Sequence, residues 1–315
     1  MAEAHFSVAF AGPLISLQDS GRPGHLRFGV PASGAMDRRS LALANIALNK
    51  PEGAPVIEVS LGGLTLDCTE GAVSLAITGG GFVIELDGQP VAPWSVLTIR
   101  AGQRLVVRRG HWGAWAYLAF AGDLEAPLWL GSASTIAASG LGGGMVTTGS
   151  TIRVRDTALV PDRRMPLPVT ARPRAHLHVV PGPQMRCFRP EALETLLRGP
   201  WHVTPQGDRM GVRLKGPALE LGDALQIPSE PILRGSIQVA GDGVATVLMA
   251  DHQTTGGYPK IATLLDDDLD GFAQLRPGDA LDFTRLTPDE AVEQARFHAT
   301  RLADYFEHAK QAARR

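Results

Sequence analysis

The segment ADHQTTGGYPKIAT, residues 250–263, gathers proton-moving and hydrogen-bonding groups behind an apolar strand pattern at Val247–Ala250. An unperturbed histidine titrates near neutral pH, which makes His252 a candidate for proton transfer. Gln253, Thr254 and Thr255 are neutral donors suited to an amide or ureido group. Gly256 and Gly257 let backbone approach a ligand closely, Tyr258 adds a hydroxyl, and Lys260 offers a cation to an anionic group. A hairpin without a ligand has little use for this set, so the functional reading is the stronger one.

Two further segments combine special-backbone residues with polar groups. QDSGRPGHLRFGVPASGAMD, residues 18–37, holds Gln18, Asp19, Arg22 and Ser33 among glycines and prolines. Such a loop exposes backbone N–H groups while its arginine presents a planar fork to a carboxylate or phosphate; a structural loop with Asp19 and Arg22 paired internally is the alternative. PQGDRMGVRLKGP, residues 205–217, repeats those residue types as Gln206, Asp208, Arg209 and Gly211. A duplicated module could bring two such loops to one interface, but taken alone the segment reads better as a solvated hairpin in which Asp208 caps a turn and the arginines face water.

Other chemistries lack support. His176 and His178 alternate along a strand and share a face, but no third metal ligand is evident, so no metal site is assigned. Cys68 and Cys187 stand in different halves, away from any metal-ligand or redox spacing. No glycine is followed by lysine, which excludes a Walker-type phosphate loop, and neither H-E-x-x-H nor G-x-S-x-G occurs. Gly79-Gly80-Gly81 follows a strand pattern without a helix after it, a poor dinucleotide fingerprint. The net charge of −2 gives no pull toward nucleic acid or an acidic membrane. No apolar run reaches the roughly 20 residues that span a bilayer, and the N-terminus does not read as a signal peptide. The expected compartment is the cytoplasm.

The elements that must position these segments are mostly strands. The 36 glycines and 23 prolines punctuate short apolar, β-branched runs such as Ile77–Leu86, Val96–Val107, Ala114–Phe120 and Leu177–Val180. Strands do not alternate with long helices, so the expected class is all-β. A proline- and arginine-rich seam at residues 158–174 divides an N-terminal domain, 1–157, from a C-terminal one, 175–315. The halves look duplicated. Each opens with an apolar strand ending in Gly-Pro (VAFAGP, HVVPGP) and later runs an apolar strand into a glycine-rich turn (VSLAITGGG, VLMADHQTTGG). Each then shows strand, turn, strand (LTIRAGQRLVV, AQLRPGDALDF). Gly102 and Gly278 fall where those turns require positive φ. Helices are expected at Met36–Asn49, from Pro190 at a first helical position, and over 288–312, where Thr287-Pro288-Asp289-Glu290 is a capping box. Ala291, Ala295, Leu302 and Phe306 give that last helix an apolar stripe to set on the second domain or on a partner.

These stretches, with LGSASTIAASGLGG from Leu130 and VVPGPQ at Val179, resemble the KipA proteins, a family that is also known as the C subunit of 5-oxoprolinase. They are related to the carboxyltransferase domain of urea carboxylase. The likeness runs in order along nearly the whole chain; Gly207 stands where the family commonly has serine, and Ile136 is a second departure. The resemblance implies two cyclophilin-like β-barrels and, as an obligate partner, the KipI-like B subunit. Together with the A subunit these would open 5-oxoproline (pyroglutamate) to glutamate at the expense of ATP, in a complex where the ATP site is not assigned to any one chain. It also suggests Gln253, Thr254 and Thr255 for the substrate amide, Arg22 or Arg209 for an anionic group, and His252 or Asp208 for proton transfer. Two rivals stay open: transfer of CO2 from carboxybiotin to urea or a urea-like amide, with biotin supplied on another chain, and a non-catalytic protein that sequesters a KipI-like kinase inhibitor.

Overall fold

The computed structural model describes residues 2–222 and 227–314. Its contacts divide the chain into two compact units: Met1–Arg22, Ser33–Arg172 and Asp304–Arg315 form the first, Pro23–Ala32 and Pro173–Ala303 the second. The chain is mainly β, with four α-helices among the described residues.

The first unit is an 11-stranded sheet. Strand Glu3–Ala11 runs antiparallel to both Leu64–Glu70 and Thr151–Arg155. Its period-2 pattern turns Ala4, Phe6 and Val8 inward, each at most 1% exposed. Phe6 meets Phe120 with ring centroids 5.5 Å apart. The sheet's spine is a long ribbon in which Ala72–Leu86 pairs with Arg104–Phe120, from Leu75↔Phe120 to Leu86↔Leu105. The glycine triplet lies inside this ribbon, where a turn was expected. Its register shifts at Gly79/Gly81 and again at Gly81/Val83, so the strand continues through two irregularities. Only glycine has room there: a Cβ on Gly79 would sit 2.4 Å from the Trp115 carbonyl, and one on Gly81 2.3 Å from Trp112 Nε1.

Helix Arg38–Ile46 is shorter than the expected Met36–Asn49, because Asp37 takes the N-cap. Its carboxylate accepts from Ser40 N at 3.0 Å and Ser40 Oγ at 2.6 Å. The helix lays Leu43 and Ile46 against Trp94 and Ala171, and Tyr305, Phe306 and Ala309 pack on that cluster. The end of the C-terminal helix therefore covers the first unit, whereas the stripe was expected to cover the second domain or a partner; Ala295 is exposed.

The second unit is a closed barrel of strands in the order His176–Pro181, Lys260–Leu264, Ser236–Val239, Ala245–Leu248, Gly211–Lys215, Trp201–Gly207, Ala280–Arg285. It closes through parallel pairing of the first strand with the last, His176↔Asp282 to Val179↔Arg285. Leu177, Val179, Ile237, Val247 and Ile261 fill the interior, all fully buried. Trp201 plugs one side, donating Nε1–H to the Leu196 carbonyl at 2.7 Å and meeting Phe283 edge-on. AQLRPGDALDF is not a hairpin: Asp266–Ala273 is a helix, and a turn at Gly278 leads into Ala280–Arg285. Gly102 and Gly278 do have positive φ, +87° and +95°. The capping box forms as read, with Thr287 N–H donating to Glu290 Oε2 at 2.8 Å at the start of helix Pro288–Ala313. The earlier helix starts at Ala192, two positions beyond Pro190.

Candidate functional site

In the second unit the PQGDRMG and ADHQTTGG segments form one structure. The tip of hairpin Trp201–Gly207/Gly211–Lys215 lies against the end of strand Ala245–Leu248, through Met249 N to Met210 O at 2.9 Å and Asp251 N to Arg209 O at 2.7 Å. Arg209 and Asp251 complete the tie as a bidentate pair, Nε–Oδ2 and Nη2–Oδ1 both 2.9 Å, with each side chain 2% exposed. Arg209 is thus committed to Asp251 and is not the anion-binding fork expected of it. Asp208 accepts from Met210 N at 2.7 Å and Gly211 N at 3.2 Å, the turn-capping role that had been the alternative to proton transfer.

Beside this tie lies a cleft of about 510 Å³ lined by Gln206, Asp208, Arg213, Gln238, Gln253 and Tyr258 over Thr246 and Leu248. Its polar wall is dominated by carboxamides. Gln253 Nε2 donates to Gln238 Oε1 at 3.2 Å, and Gln206 Oε1 accepts from Arg213 Nη1 at 3.3 Å. Arg213 also reaches Asp242 at 2.7 Å. Gly256 sits close beneath this wall: a Cβ there would lie 2.6 Å from Ile232 Cδ1 and 3.1 Å from Gln238 Nε2, so those side-chain ends would have to shift. Thr255 and Gly256 pair with Glu230 and Pro231, presenting the loop as a short ribbon. The side-chain hydroxyls of Thr254 and Thr255 have no hydrogen-bond partner among the described residues.

His252 is buried, and its Nδ1 lies 2.7 Å from the Gln253 carbonyl. Burial, reinforced by Arg234, lowers its pKa below the usual histidine value. A carbonyl only accepts, so the neutral ring carries its proton on Nδ1 and leaves Nε2 as a base. His252 does not line the carboxamide cleft. Lys260 is also turned inward. Among the described residues its buried ammonium has no hydrogen-bond partner, and its ion-pair partner, Glu230 Oε2, lies 3.7 Å away. Gln184 holds this corner, accepting from Lys260 N at 2.8 Å and donating to Glu230.

Gln18, Asp19, Arg22 and Ser33 belong to the first unit, where all four are buried. Asp19 accepts from Ser132 Oγ, Ala133 N and Ser134 Oγ, each at 2.6 Å. Arg22 donates to the Ser134 and Trp129 carbonyls and stacks 5.0 Å over the Trp129 ring. Gln18 Nε2 donates to Ser16 Oγ at 2.8 Å and the Thr135 carbonyl at 3.0 Å, and Ser33 Oγ reaches the same carbonyl at 3.4 Å. These four side chains form a polar core locked to the backbone and hydroxyls of Trp129–Thr135, the structural alternative, although Arg22 bonds carbonyls and not Asp19. Elsewhere His176 and His178 bond Asp282 and Asp268, and both cysteines are free and buried.

Sequence reading missed Gln238, the residue against which Gln253 is set. Its signal was a polar side chain inside the apolar run Ser236–Val239, a strand buried at every position, where no alternation marks it out. Gln184 was passed over as the end of VVPGPQ, and Arg213, which lines the cleft, was overlooked in favour of Arg209.

The family profile described as "Carboxyltransferase domain, subdomain A and B" matches residues 28–285. The chain belongs to that family. It is 34% identical over 284 residues to the C subunit of 5-oxoprolinase from Haemophilus influenzae, covering 89% of this chain and 91% of the relative. Among solved structures, the crystal structure of TTHA0988 superposes with a TM-score of 0.80 at 32% identity, over 89% of this chain and 56% of that one. The Kluyveromyces lactis urea carboxylase superposes with a TM-score of 0.85 at 26% identity, over 98% of this chain but 30% of that longer one. In this family member the carboxamide cleft lies within the matched span.

Proposed function

We propose that this chain is the C subunit of an ATP-dependent 5-oxoprolinase and that the cleft of its second unit holds the lactam of 5-oxoproline. The observation that carries the reading is the gathering of Gln206, Gln238 and Gln253 on one cleft. A five-membered lactam has its N–H and C=O on the same side. A primary carboxamide offers the complementary donor and acceptor in one plane, so it pairs with a lactam through two hydrogen bonds. Arg213, at the cleft wall, takes the substrate carboxylate, whereas Thr254 and Thr255 do not line the cleft. The A and B subunits complete the complex.

An amide resists attack because of its resonance, and phosphorylation of the carbonyl oxygen by ATP removes that resistance. Arg213, the guanidinium lining this cleft, is shared with Asp242 and Gln206, a poor cradle for a triphosphate. The reading therefore assigns ATP to a partner protein and recognition of the lactam to this chain. The test is ATP-dependent glutamate release from 5-oxoproline by the purified complex, omitting each component in turn. Omission of this chain abolishes release, and Gln253→Leu lowers kcat/KM by roughly 100-fold, because it leaves polar groups of the bound lactam unpaired. Undiminished turnover without this chain, or with Gln253→Leu, overturns the reading.

The family and the K. lactis urea carboxylase likeness favour one second reading, carboxyl transfer from carboxybiotin to a ureido nitrogen in the same cleft. It predicts urea-dependent consumption of carboxybiotin, which the oxoprolinase reading does not.

A further inference from the structure

Under the last turns of the C-terminal helix the first unit has a second cavity, of about 340 Å³, which the proposed function does not use. Its wall is apolar: Leu43 and Ile46 from helix Arg38–Ile46, Trp94 from the strand entry, and Tyr305 and Ala309 from the terminal helix. Arg163 and Arg164 line it too, Arg163 on the inward face of its strand beside Met165 and Arg164 on the outward face, and among the described residues no acidic one does. Arg163 Nη2 donates to the Ala47 carbonyl at 2.5 Å. Since Ala47 lines the cavity, that bond fixes the guanidinium at the wall, with further N–H groups to spare. Neither arginine has a carboxylate partner among the described residues, although the chain pairs many of its other arginines. The Tyr305 hydroxyl likewise has no hydrogen-bond partner among the described residues, and burial raises its pKa, so it stays a donor.

An apolar chamber with one guanidinium that has no carboxylate partner among the described residues, and a phenol, is complementary to one class of small molecule. A neutral hydrocarbon leaves the cation unused, and a polyanion leaves the apolar wall unused. We propose that this cavity binds a monocarboxylate with an aromatic or branched aliphatic body, its carboxylate on Arg163 and its body between Trp94 and Tyr305. A ligand there joins the terminal helix to the 163–164 strand and to helix Arg38–Ile46, so it stabilises the first unit by mass action. The site is distinct from the carboxamide cleft, and its test does not depend on the activity of the complex.

Phenylacetate is the probe, with phenylacetamide as its uncharged counterpart, on the full-length chain. Phenylacetate raises the thermal midpoint saturably, and calorimetry gives a single site per chain; phenylacetamide binds at least about tenfold more weakly. Arg163→Gln removes the guanidinium at the wall and weakens phenylacetate by about tenfold. Ala309→Phe fills the chamber and abolishes binding. No saturable binding to the wild-type chain, equal binding of acid and amide, or unchanged binding by both variants overturns the proposal; equal binding would assign the chamber to a neutral apolar occupant.

Discussion

Arg209 shows what a residue type cannot say alone. Its sequence neighbours suggested a fork held out to an anion, yet it lies buried against Asp251. Removing one member of such a pair strands a buried charge, so Arg209→Met costs about 3–5 kcal/mol, read as a lower urea midpoint. Adding Asp251→Leu to that variant recovers most of the loss. A substrate-binding arginine would behave differently, raising KM at constant stability. His252 gives a second expectation, in pH. Burial places its folded pKa below the unfolded value, so the unfolded state binds the proton more readily. That contribution to stability is fully present above the unfolded pKa, about 6.5, and is lost as pH falls below it toward the folded value. The urea midpoint of the wild-type chain should drop between pH 7.5 and 5.5 more than that of His252→Asn. Equal drops would mean that His252 titrates normally. The ADHQTTGGYPK segment was legible as a site because its residue types are unusual together. Which of them face the cleft was not, because Gln253 and Tyr258 line it while His252 and Lys260 turn inward, and that choice depends on the partners Gln238, Gln184 and Glu230, which lie outside the segment.

Elements were most legible where the signal is local. The capping box fixed the start of the last helix because Thr287 and Glu290 satisfy each other's neighbourhood within a single turn. The Gly-Pro strand ends and the positive-φ glycines of two turns were equally local. The glycine triplet misled because its cause is non-local: the long ribbon brings the backbone of Gly110–Trp115 onto Gly79–Gly81. A Cβ on Gly110 would lie 1.9 Å from the Gly81 carbonyl. Gly110→Ala should therefore destabilise the chain by about 1–3 kcal/mol in chemical unfolding, by overpacking at backbone that has nowhere to move. The same substitution at Gly102, whose Cβ would meet nothing within 4 Å, carries only the strain of its positive φ and should cost less. Equal losses at the two positions would show that close backbone approach is not what fixes glycine in the ribbon.

At the scale of the molecule, sequence order and contact order part company. The proline-rich seam invites a cut that leaves everything after it in one body, but the contacts give Asp304–Arg315 to the first unit. The reason is hydrophobic cover. Leu43, Ile46 and Trp94 form a small cluster whose remaining neighbours include Tyr305, Phe306 and Ala309, at the opposite end of the chain. Periodicity showed that the terminal helix had an apolar stripe, but a stripe does not name the surface that receives it. Truncation after Ala303 should then injure the first unit and spare the barrel. Two half-buried aromatic rings contribute about 2–4 kcal/mol together, so the first unit should melt earlier by that margin. Trp94 should redden in emission as its cover is lost, while the barrel's Trp201, 1% exposed, keeps its environment. The single substitution Phe306→Ala should reproduce the direction at about 1–2 kcal/mol. A truncated chain that melts as the full one does, with Trp94 unchanged, would mean that the cluster closes without the helix; loss of the barrel instead would mean that the terminal turns serve the unit from which the helix departs.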